Sequence, residues 1–507
     1  MMWPRESQGK WLLFYITFAS GFGFALFGYD QGVFGALLGN ESFIKTFNNP
    51  DPTLQGQITA IYDLGCFVGA LLTMWKGSHF GSRKVIFWGC FILVVGAVLQ
   101  VASYHTAQMI VGRFVAGVGN GMVTASIPVW QSETAPTFLR GRLMVIQLAL
   151  CQFGNTISQW TNYGMTYIAW NSVAWRFPLA LQCFFALVTI AFVPFLPDSP
   201  RWLTMKDRNE EAIEVIQRLG GASQTEEQTR AIHAEIQENV RHEMSMGKIS
   251  VRSLFKKDDL HTLRRVILGA GTQLMQQWSG INALFYYLPV VFASLGVSRN
   301  LSLILSSSNG INMVISTIVG SLFIENVGRK KLMVWGAVAQ SLCFCLISIG
   351  LGIGGSKWEA VAVAFVFGYS TVFALSWIAV PWMYPAEINT QRMRIAGAGI
   401  ATATNWINNY VVVLVTPVGI DNLKWKYYVI YAVLNAAFAI ISQVFYVETA
   451  RLSLEEIDGL FEKNLTVGRF EASTDDEKAG SDAVAHSSHV AHFDSDQKVD
   501  EVGATKV

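Results

Sequence analysis

The chain has 507 residues, of which 52% are hydrophobic and 14% are charged, and its formal net charge is +1. A soluble domain of this length could not bury so much apolar side chain, so the composition indicates a membrane protein. The nearly neutral charge and the lack of a basic cluster exclude a surface that binds nucleic acid.

Twelve apolar segments follow one another, and each is long enough for a transmembrane helix of roughly 20 residues. The first segment is too long for the apolar region of a secretory signal and lacks a cleavage site, so we expect a retained span. The segments predict an all-α integral membrane protein of twelve transmembrane helices in two bundles of six. They begin near residues 11, 56, 84, 106, 141, 174, 265, 301, 331, 358, 393 and 426.

Two polar stretches interrupt this pattern. The region from Arg201 to Leu263 is charged and rich in helix-forming residues, which predicts a cytoplasmic helical linker. The tail beyond Leu460 is rich in Ser, Asp, His and Lys, which predicts disorder. The expected organisation is an N-terminus (1–10), a first six-helix bundle (11–200), the linker (201–263), a second six-helix bundle (264–450) and a mostly disordered tail (451–507).

Basic residues concentrate in the short loops on one side of the predicted spans, and the positive-inside rule makes that side cytoplasmic. Both termini are then inside, and we expect the plasma membrane as the location. Two Asn-x-Ser sequons, at Asn40 and Asn300, fall on the outer side and are candidates for glycosylation.

The six cysteines all fall inside predicted spans, so they suggest neither a disulfide framework nor a zinc site. No nucleophile elbow, phosphate loop or metal-ligand motif is present in the sequence. We therefore expect no enzyme activity, no catalytic residue, no metal and no cofactor.

Motifs of the first half recur about 250 residues later in the chain. Glu133 precedes Arg140 by seven residues in the fourth span, and Glu387 precedes Arg394 by seven in the tenth. A repeat of six spans is typical of a transporter built from two similar bundles, with the solute site at their interface near the membrane midplane.

Several motifs together make the chain resemble the sugar porter family of the major facilitator superfamily, with most similarity to fungal proton symporters of sugars and polyols. The resemblance implies a secondary active transporter that moves a sugar or polyol by alternating access, together with a proton and as a monomer. The motifs are Gly28-Tyr29-Asp30, Gly112-Arg113, Glu133 with Arg140-Gly141, Pro197 to Arg201, Gln276-Gln277-x-x-Gly280-x-Asn282 with Tyr286-Tyr287, Gly328-Arg329, Pro381-Trp382 and Asn405-Trp406.

Amide and indole side chains suit a hydroxylated solute, because they offer hydrogen bonds to its hydroxyl groups. The alternative for each amide is a hydrogen bond to a neighbouring helix, and for the tryptophan it is packing between helices. The resemblance assigns Tyr286 and Tyr287 to an extracellular gate. It assigns solute binding to Gln276, Gln277, Asn282, Asn312, Trp382, Asn405 and Asn409.

Asp30 in the first span and Arg113 in the fourth are ionisable groups within the bilayer, which are functional candidates by default. We expect them to pair when Asp30 is deprotonated and to separate when it is protonated. The alternative is a permanent ion pair, and facilitators of this family can also carry this aspartate. Asp63 in the second span is either a second proton site or a polar group that packs helices.

The charges at the cytoplasmic ends of the spans suggest a gate that joins the two bundles when the transporter faces outward. The alternative is that the arginines only determine topology. The predicted gate comprises Arg83, Glu133, Arg140, Arg329, Glu387 and Arg394.

Departures from the family pattern leave the solute open. Hexose carriers have a glutamine where this chain has Leu148, and Gln147 beside it points about 100 degrees away on a helix. Ile378 and Ala379 replace a glycine and a proline of the tenth span. Polyols, pentoses and sugar acids are therefore candidate solutes as well as glucose. An uncoupled facilitator or a non-transporting sugar receptor remains the alternative function.

Overall fold

The computed structural model describes residues 7–136, 139–168, 170–245, 261–294, 296–390, 393–452 and 454–462. Regular structure within these ranges is helical. The tail predicted to be disordered lies outside the described residues from 463 onward, as does the stretch 246–260 of the predicted linker.

Six long helices in the first half correspond to the first six predicted spans. Polar residues define where helices begin after loops: Asn40 and Asp51 accept backbone N–H bonds at the starts of the second and third helices. The helices are α1 (Lys10–Leu37), α2 (Glu41–Thr46, a short loop helix), α3 (Pro52–Phe80), α4 (Ser82–Val101), α5 (Thr106–Thr134), α6 (Arg140–Met165) and α7 (Val173–Phe192).

Three shorter helices lie in the predicted linker: α8 (Pro200–Met205), α9 (Asn209–Gly220) and α10 (Glu226–Ser245). Leu203, Ala212 and Val215 form a small apolar core between α8 and α9. The backbone N–H of Gly9 donates to the carbonyl of Arg218 at 2.7 Å, so the start of α1 is held against this linker.

The second half repeats the six-span pattern with two interrupted helices. The seventh span breaks at Gly280, whose φ of 97° is accessible to glycine and strained for other residues. The tenth breaks at Trp377 to Ala379. The helices are α11 (Thr262–Trp278), α12 (Ile281–Phe285), α13 (Leu288–Ser294), α14 (Arg299–Val327), α15 (Arg329–Ile353), α16 (Ser356–Ser376), α17 (Val380–Ile388), α18 (Arg394–Leu423), α19 (Trp425–Phe445) and α20 (Leu454–Glu462).

Nine segments of the described chain are long and apolar enough to span a membrane by themselves. The three remaining spans are α6, the interrupted α11–α13, and α18, and the last two carry five of the six predicted solute-site amides. Polar side chains lower the hydropathy of a span where it faces the interior of a bundle rather than lipid. Two of the three weakest membrane signals therefore mark helices that build the candidate site.

The two halves pack against each other through α1 with α13, α3 with α18, and α6 with α14. Because the spans are even in number, the chain enters and leaves the membrane on one side, which we call the terminal side; the opposite side is the distal side. On the distal side a Cβ at Gly35 of α1 would lie 2.2 Å from the carbonyl oxygen of Tyr286. Such close backbone contact between the halves closes the distal side.

Candidate functional site

A cluster of buried amides lies where the broken seventh span meets α18. Asn282 donates to the side-chain oxygen of Gln277 and to that of Asn409, the latter at 2.7 Å. All three side chains are buried. The structure therefore brings together three of the predicted solute-binding residues, and they bond mainly to one another rather than to backbone.

A second pair of predicted residues, Gln276 and Asn405, is hydrogen-bonded directly, and Asn405 also bonds to Gln273, which was not among the predicted residues. Asn405 donates to Gln273 at 2.6 Å and to Gln276 at 3.3 Å. Gln273 precedes Gln276 by three residues and so shares its helix face, which is the signal that could have identified it.

Gln273 and Gln276 also hold the break in the tenth span. In an unbroken helix the carbonyl of Trp377 would accept from residue 381, and that of residue 381 from residue 385. Both donors are missing because Pro381 and Pro385 have no N–H. Gln276 instead donates to Trp377 at 2.8 Å and Gln273 to Pro381 at 2.7 Å. We call these two bonds the glutamine clamp.

The contacts described for Asn312 and Trp382 are with residues outside the amide cluster. Asn312 donates to the carbonyl of Phe367 at 3.4 Å and accepts from the hydroxyl of Thr371 at 3.1 Å. Trp382 is half-buried and packs against the apolar core. Both sets of contacts pack helices together, which is the role given above as the alternative to solute binding.

The two predicted gate tyrosines make different contacts. Tyr287 donates to the carbonyl of Val413 at 2.9 Å, within the second half. Tyr286 donates to Asp63 at 3.0 Å and thereby reaches into the first half. Asn409 donates to the same carboxylate oxygen at 3.0 Å. Asp63 therefore makes hydrogen bonds to helices of the other half, and its role as a second proton site stays a prediction.

Asp30 and Arg113 form the predicted ion pair, with 2.8 Å between an Arg113 terminal nitrogen and an Asp30 oxygen. Both side chains are completely buried. The other guanidinium nitrogens donate to the carbonyls of Ile58 and Thr59 in α3. The rings of Phe34 and Tyr62 lie 4.0 Å and 4.5 Å from the guanidinium carbon.

The terminal-side charges pair within each half in this conformation. In the first half Arg83 contacts Asp198 at 3.3 Å, and Arg201 lies 3.9 Å from Glu133. Burial raises the pKa of Asp198, and the neighbouring Arg83 opposes that shift.

In the second half Arg329 contacts Glu387 at 2.9 Å, and Glu448 accepts from the backbone N–H of Arg329 at 2.7 Å. The side chains of Arg140 and Arg394 lie outside the described residues. The gate that joins the two halves therefore stays a prediction.

Gln147 does not take the place of the missing glutamine at Leu148. Its amide donates to Gln131 of α5, which in turn donates to the hydroxyl of Thr17 at 3.0 Å. Leu148 itself is buried. The rotation of about 100 degrees between adjacent helical positions directs Gln147 into its own bundle.

The two sequons differ in exposure. Asn40 is only 6% exposed, and its side-chain oxygen accepts from the backbone N–H of Ser42 and Phe43 at the start of α2. Asn300 is exposed in the first turn of α14. Glycosylation of either residue stays a prediction, and the structure favours Asn300.

All six cysteines are free thiols. Among the described residues no three His, Cys, Asp or Glu side chains come together to hold a metal ion.

Comparison with known proteins identifies the family. Residues 16–461 match the family model described as Sugar (and other) transporter. The MFS-type transporter oryC of Aspergillus oryzae is 41% identical over 467 residues, which cover 90% of this chain and 86% of that protein. The sugar transporter STL1 of Saccharomyces cerevisiae is 37% identical over 472 residues, which cover 90% of this chain and 82% of that protein.

Solved structures share the fold. The proton:xylose symporter XylE bound to 6-bromo-6-deoxy-D-glucose superposes with a TM-score of 0.75 at 24% identity, over 89% of this chain and 99% of that chain. These relatives are transporters, which confirms the prediction of a transporter rather than an enzyme. The chain belongs to the sugar porter family of the major facilitator superfamily and has the twelve-helix fold of that superfamily.

Proposed function

We propose that this transporter moves a sugar or polyol across the membrane together with a proton, by alternating access. The observation that carries the proposal is the amide cluster of Gln277, Asn282 and Asn409 beside the break at Gly280. Amides both donate and accept, so a hydroxylated solute can replace their mutual hydrogen bonds without leaving buried polar groups unpaired.

Solute binding would also involve the glutamine clamp. Both polar atoms of Gln276 are already used, by the carbonyl of Trp377 and by Asn405. A solute hydroxyl that replaces Trp377 as the acceptor from Gln276 would leave that carbonyl without its donor. The break in the tenth span would then respond to solute, and Trp382 and Asn312 lie on the helices that would move with it.

The buried pair of Asp30 and Arg113 supports proton coupling. A proton on Asp30 removes the charge that holds Arg113, and the freed guanidinium then changes its contacts with α3. Relatives whose names state a sugar include the high-affinity glucose transporter 1 of Candida albicans, 30% identical over 482 residues. XylE, which shares the fold, is named a proton:xylose symporter.

The remaining features of the proposal concern orientation and gating. The terminal side faces the cytoplasm, because the basic loops lie there, and the membrane proposed is the plasma membrane. When the distal side opens, Arg83, Glu133 and Arg140 meet Arg329, Glu387 and Arg394 across the interface. The transporter works as a monomer, with bundles at 11–200 and 264–450 joined by the linker 201–263 and followed by the tail 451–507.

The test is uptake of labelled hexoses, pentoses, glycerol, polyols and sugar acids by yeast that lacks its own carriers and expresses this chain. We expect accumulation of one solute class that collapses with a protonophore. Asp30→Asn should abolish accumulation and retain exchange, whereas Asp421→Asn, an exposed acid in the last turn of α18, should behave as wild type. Full accumulation by Asp30→Asn would refute the role of Asp30.

Two other outcomes would redirect the proposal. Equilibration that a protonophore leaves unchanged would make the protein an uncoupled facilitator, and Asp30–Arg113 a permanent ion pair. No uptake of any solute by protein that reaches the cell surface would support the sugar receptor.

A further inference from the structure

Asp63 makes a contact that none of the proposed roles uses. It lies in the middle of α3, is completely buried, and accepts from Tyr286 and Asn409 through the same oxygen at 3.0 Å each. Its second oxygen has no hydrogen-bond partner among the described residues. Both donors belong to the second half, so the carboxyl group is part of the seal between the halves on the distal side.

The charges around Asp63 do not balance when it is ionised. Arg113 is paired with Asp30 at 2.8 Å, and the two hydrogen-bond donors to Asp63 are neutral. Two carboxylates thus share one guanidinium. The titratable groups that surround Asp63 are Asp30 of α1, Arg113 of α5, Tyr62 and Cys66 of α3, and Tyr286 and Tyr287 at the end of α12.

A buried carboxylate without its own cation is strongly unfavourable, whereas a neutral carboxyl group with two hydrogen bonds is tolerated. Closing the distal side removes Asp63 from water, and opening it separates Tyr286 and Asn409 from α3. The free energy of closing therefore depends on whether Asp63 carries a proton.

We propose that Asp63 is a second proton-binding carboxyl group, and that its protonation stabilises the state that is closed on the distal side. The proton comes from water on the distal side while that side is open and returns there when it reopens. It controls closing and is not carried across, whereas transport of a proton remains the role proposed for Asp30.

The contact also links the proton to the solute site. Asn409 donates to Asp63 and accepts from Asn282, so a solute that displaces Asn282 changes a neighbour of the carboxyl group. This part rests on the proposed function, because it takes these amides as the solute site. The dependence of closing on protonation does not rest on it and can be measured without solute.

The experiment measures the distance between two spin labels on the distal side of the purified full-length chain, without solute, from about pH 8 to about pH 5. Glu41 in α2 and Asn300 in α14 are exposed positions on opposite halves, and their replacement by labelled cysteine leaves the interface untouched. We expect the ratio of closed to open molecules to rise as the pH falls, by up to about tenfold per pH unit for one linked proton.

Asp63→Asn keeps a side-chain oxygen for Tyr286 and Asn409 but cannot ionise, so this variant should stay closed at every pH. Asp30→Asn should still respond to pH, because Asp63 is intact, but at a lower pH, because Arg113 is then left to neutralise ionised Asp63. Asp421→Asn should match wild type. Tyr286→Phe removes one donor and should shift the population towards the open state while the pH response remains.

Three results would overturn the proposal. These are a pH response in Asp63→Asn equal to that of wild type, a predominantly open state of Asp63→Asn at every pH, and no pH response in wild type. Uptake separates this proposal from symport, since Asp63→Asn, held closed on the distal side, should take up and exchange solute more slowly than wild type, whereas Asp30→Asn should lose accumulation and retain exchange. If the protein proves to be a facilitator, protonation of Asp63 can still stabilise the state that is closed on the distal side.

Discussion

The glutamine clamp allows a sharp test of what Gln276 does. We predict that Gln276→Leu destabilises the protein because the carbonyl of Trp377 loses its donor at 2.8 Å. The substitution preserves side-chain size, so no large cavity accompanies the loss. Pro381 has no N–H to offer in its place.

The magnitude follows from leaving a buried polar group unpaired. An unsatisfied buried acceptor costs about 1–3 kcal/mol, and Asn405 retains its shorter bond to Gln273 at 2.6 Å. We therefore expect Gln276→Leu to lower the free energy of unfolding by about 1–3 kcal/mol. Gln277→Leu is the matched control, since Gln277 accepts from Asn282 and does not contact the break in the tenth span.

Replacing Pro381 tests whether its missing N–H is the reason that Gln276 stabilises the protein. Pro381→Ala restores an N–H four residues after Trp377, so combining it with Gln276→Leu should recover most of the lost stability. Pro381→Ala should not rescue Gln277→Leu. The assay is denaturant or thermal unfolding of the three single variants, the two double variants and wild type in one detergent, analysed as double-mutant cycles.

The result that contradicts this reasoning is a Gln276→Leu protein as stable as wild type that has lost only solute binding. Gln276 would then be free for solute, and its bond to Trp377 would contribute nothing to stability. Failure of Pro381→Ala to rescue would show that the missing N–H is not what the glutamine replaces.

Two further predictions concern packing and modification. Gly28→Ala should destabilise by about 1–3 kcal/mol or more, because its Cβ would lie 1.7 Å from the carbonyl oxygen of Cys151, whereas Gly164→Ala, with nothing within 4 Å, should be neutral or slightly stabilising in the same unfolding assay. In a host that glycosylates secreted proteins, Asn300→Gln should raise gel mobility and Asn40→Gln should not, because Asn40 is buried as a helix cap. A mobility change with Asn40→Gln alone would contradict this reading of the burial.

The amino-acid sequence by itself predicted the helices, their number and the two-fold repeat. A membrane span is recognised by local length and hydropathy, and these depend only on neighbours along the chain. The residues of the candidate site could also be selected from the sequence, since amides and an acid within apolar spans are rare. The prediction that Asp30 meets Arg113 succeeded because each is an isolated charge that needs a partner of opposite sign.

Only the tertiary structure decided which polar groups meet. Glu387 contacts Arg329 and Glu133 is close to Arg201, and neither pair could be predicted from spacing along the chain, because the partners come from separate segments. The glutamine clamp forms because two prolines of the tenth span leave backbone carbonyls without their helical donors. The packing of the seventh span against the tenth places Gln276 and Gln273 within reach of those carbonyls. The partners of Asp63 across the interface could not be predicted from the sequence. Spans form from interactions along the chain, whereas these contacts depend on how twelve helices pack, which no local pattern encodes.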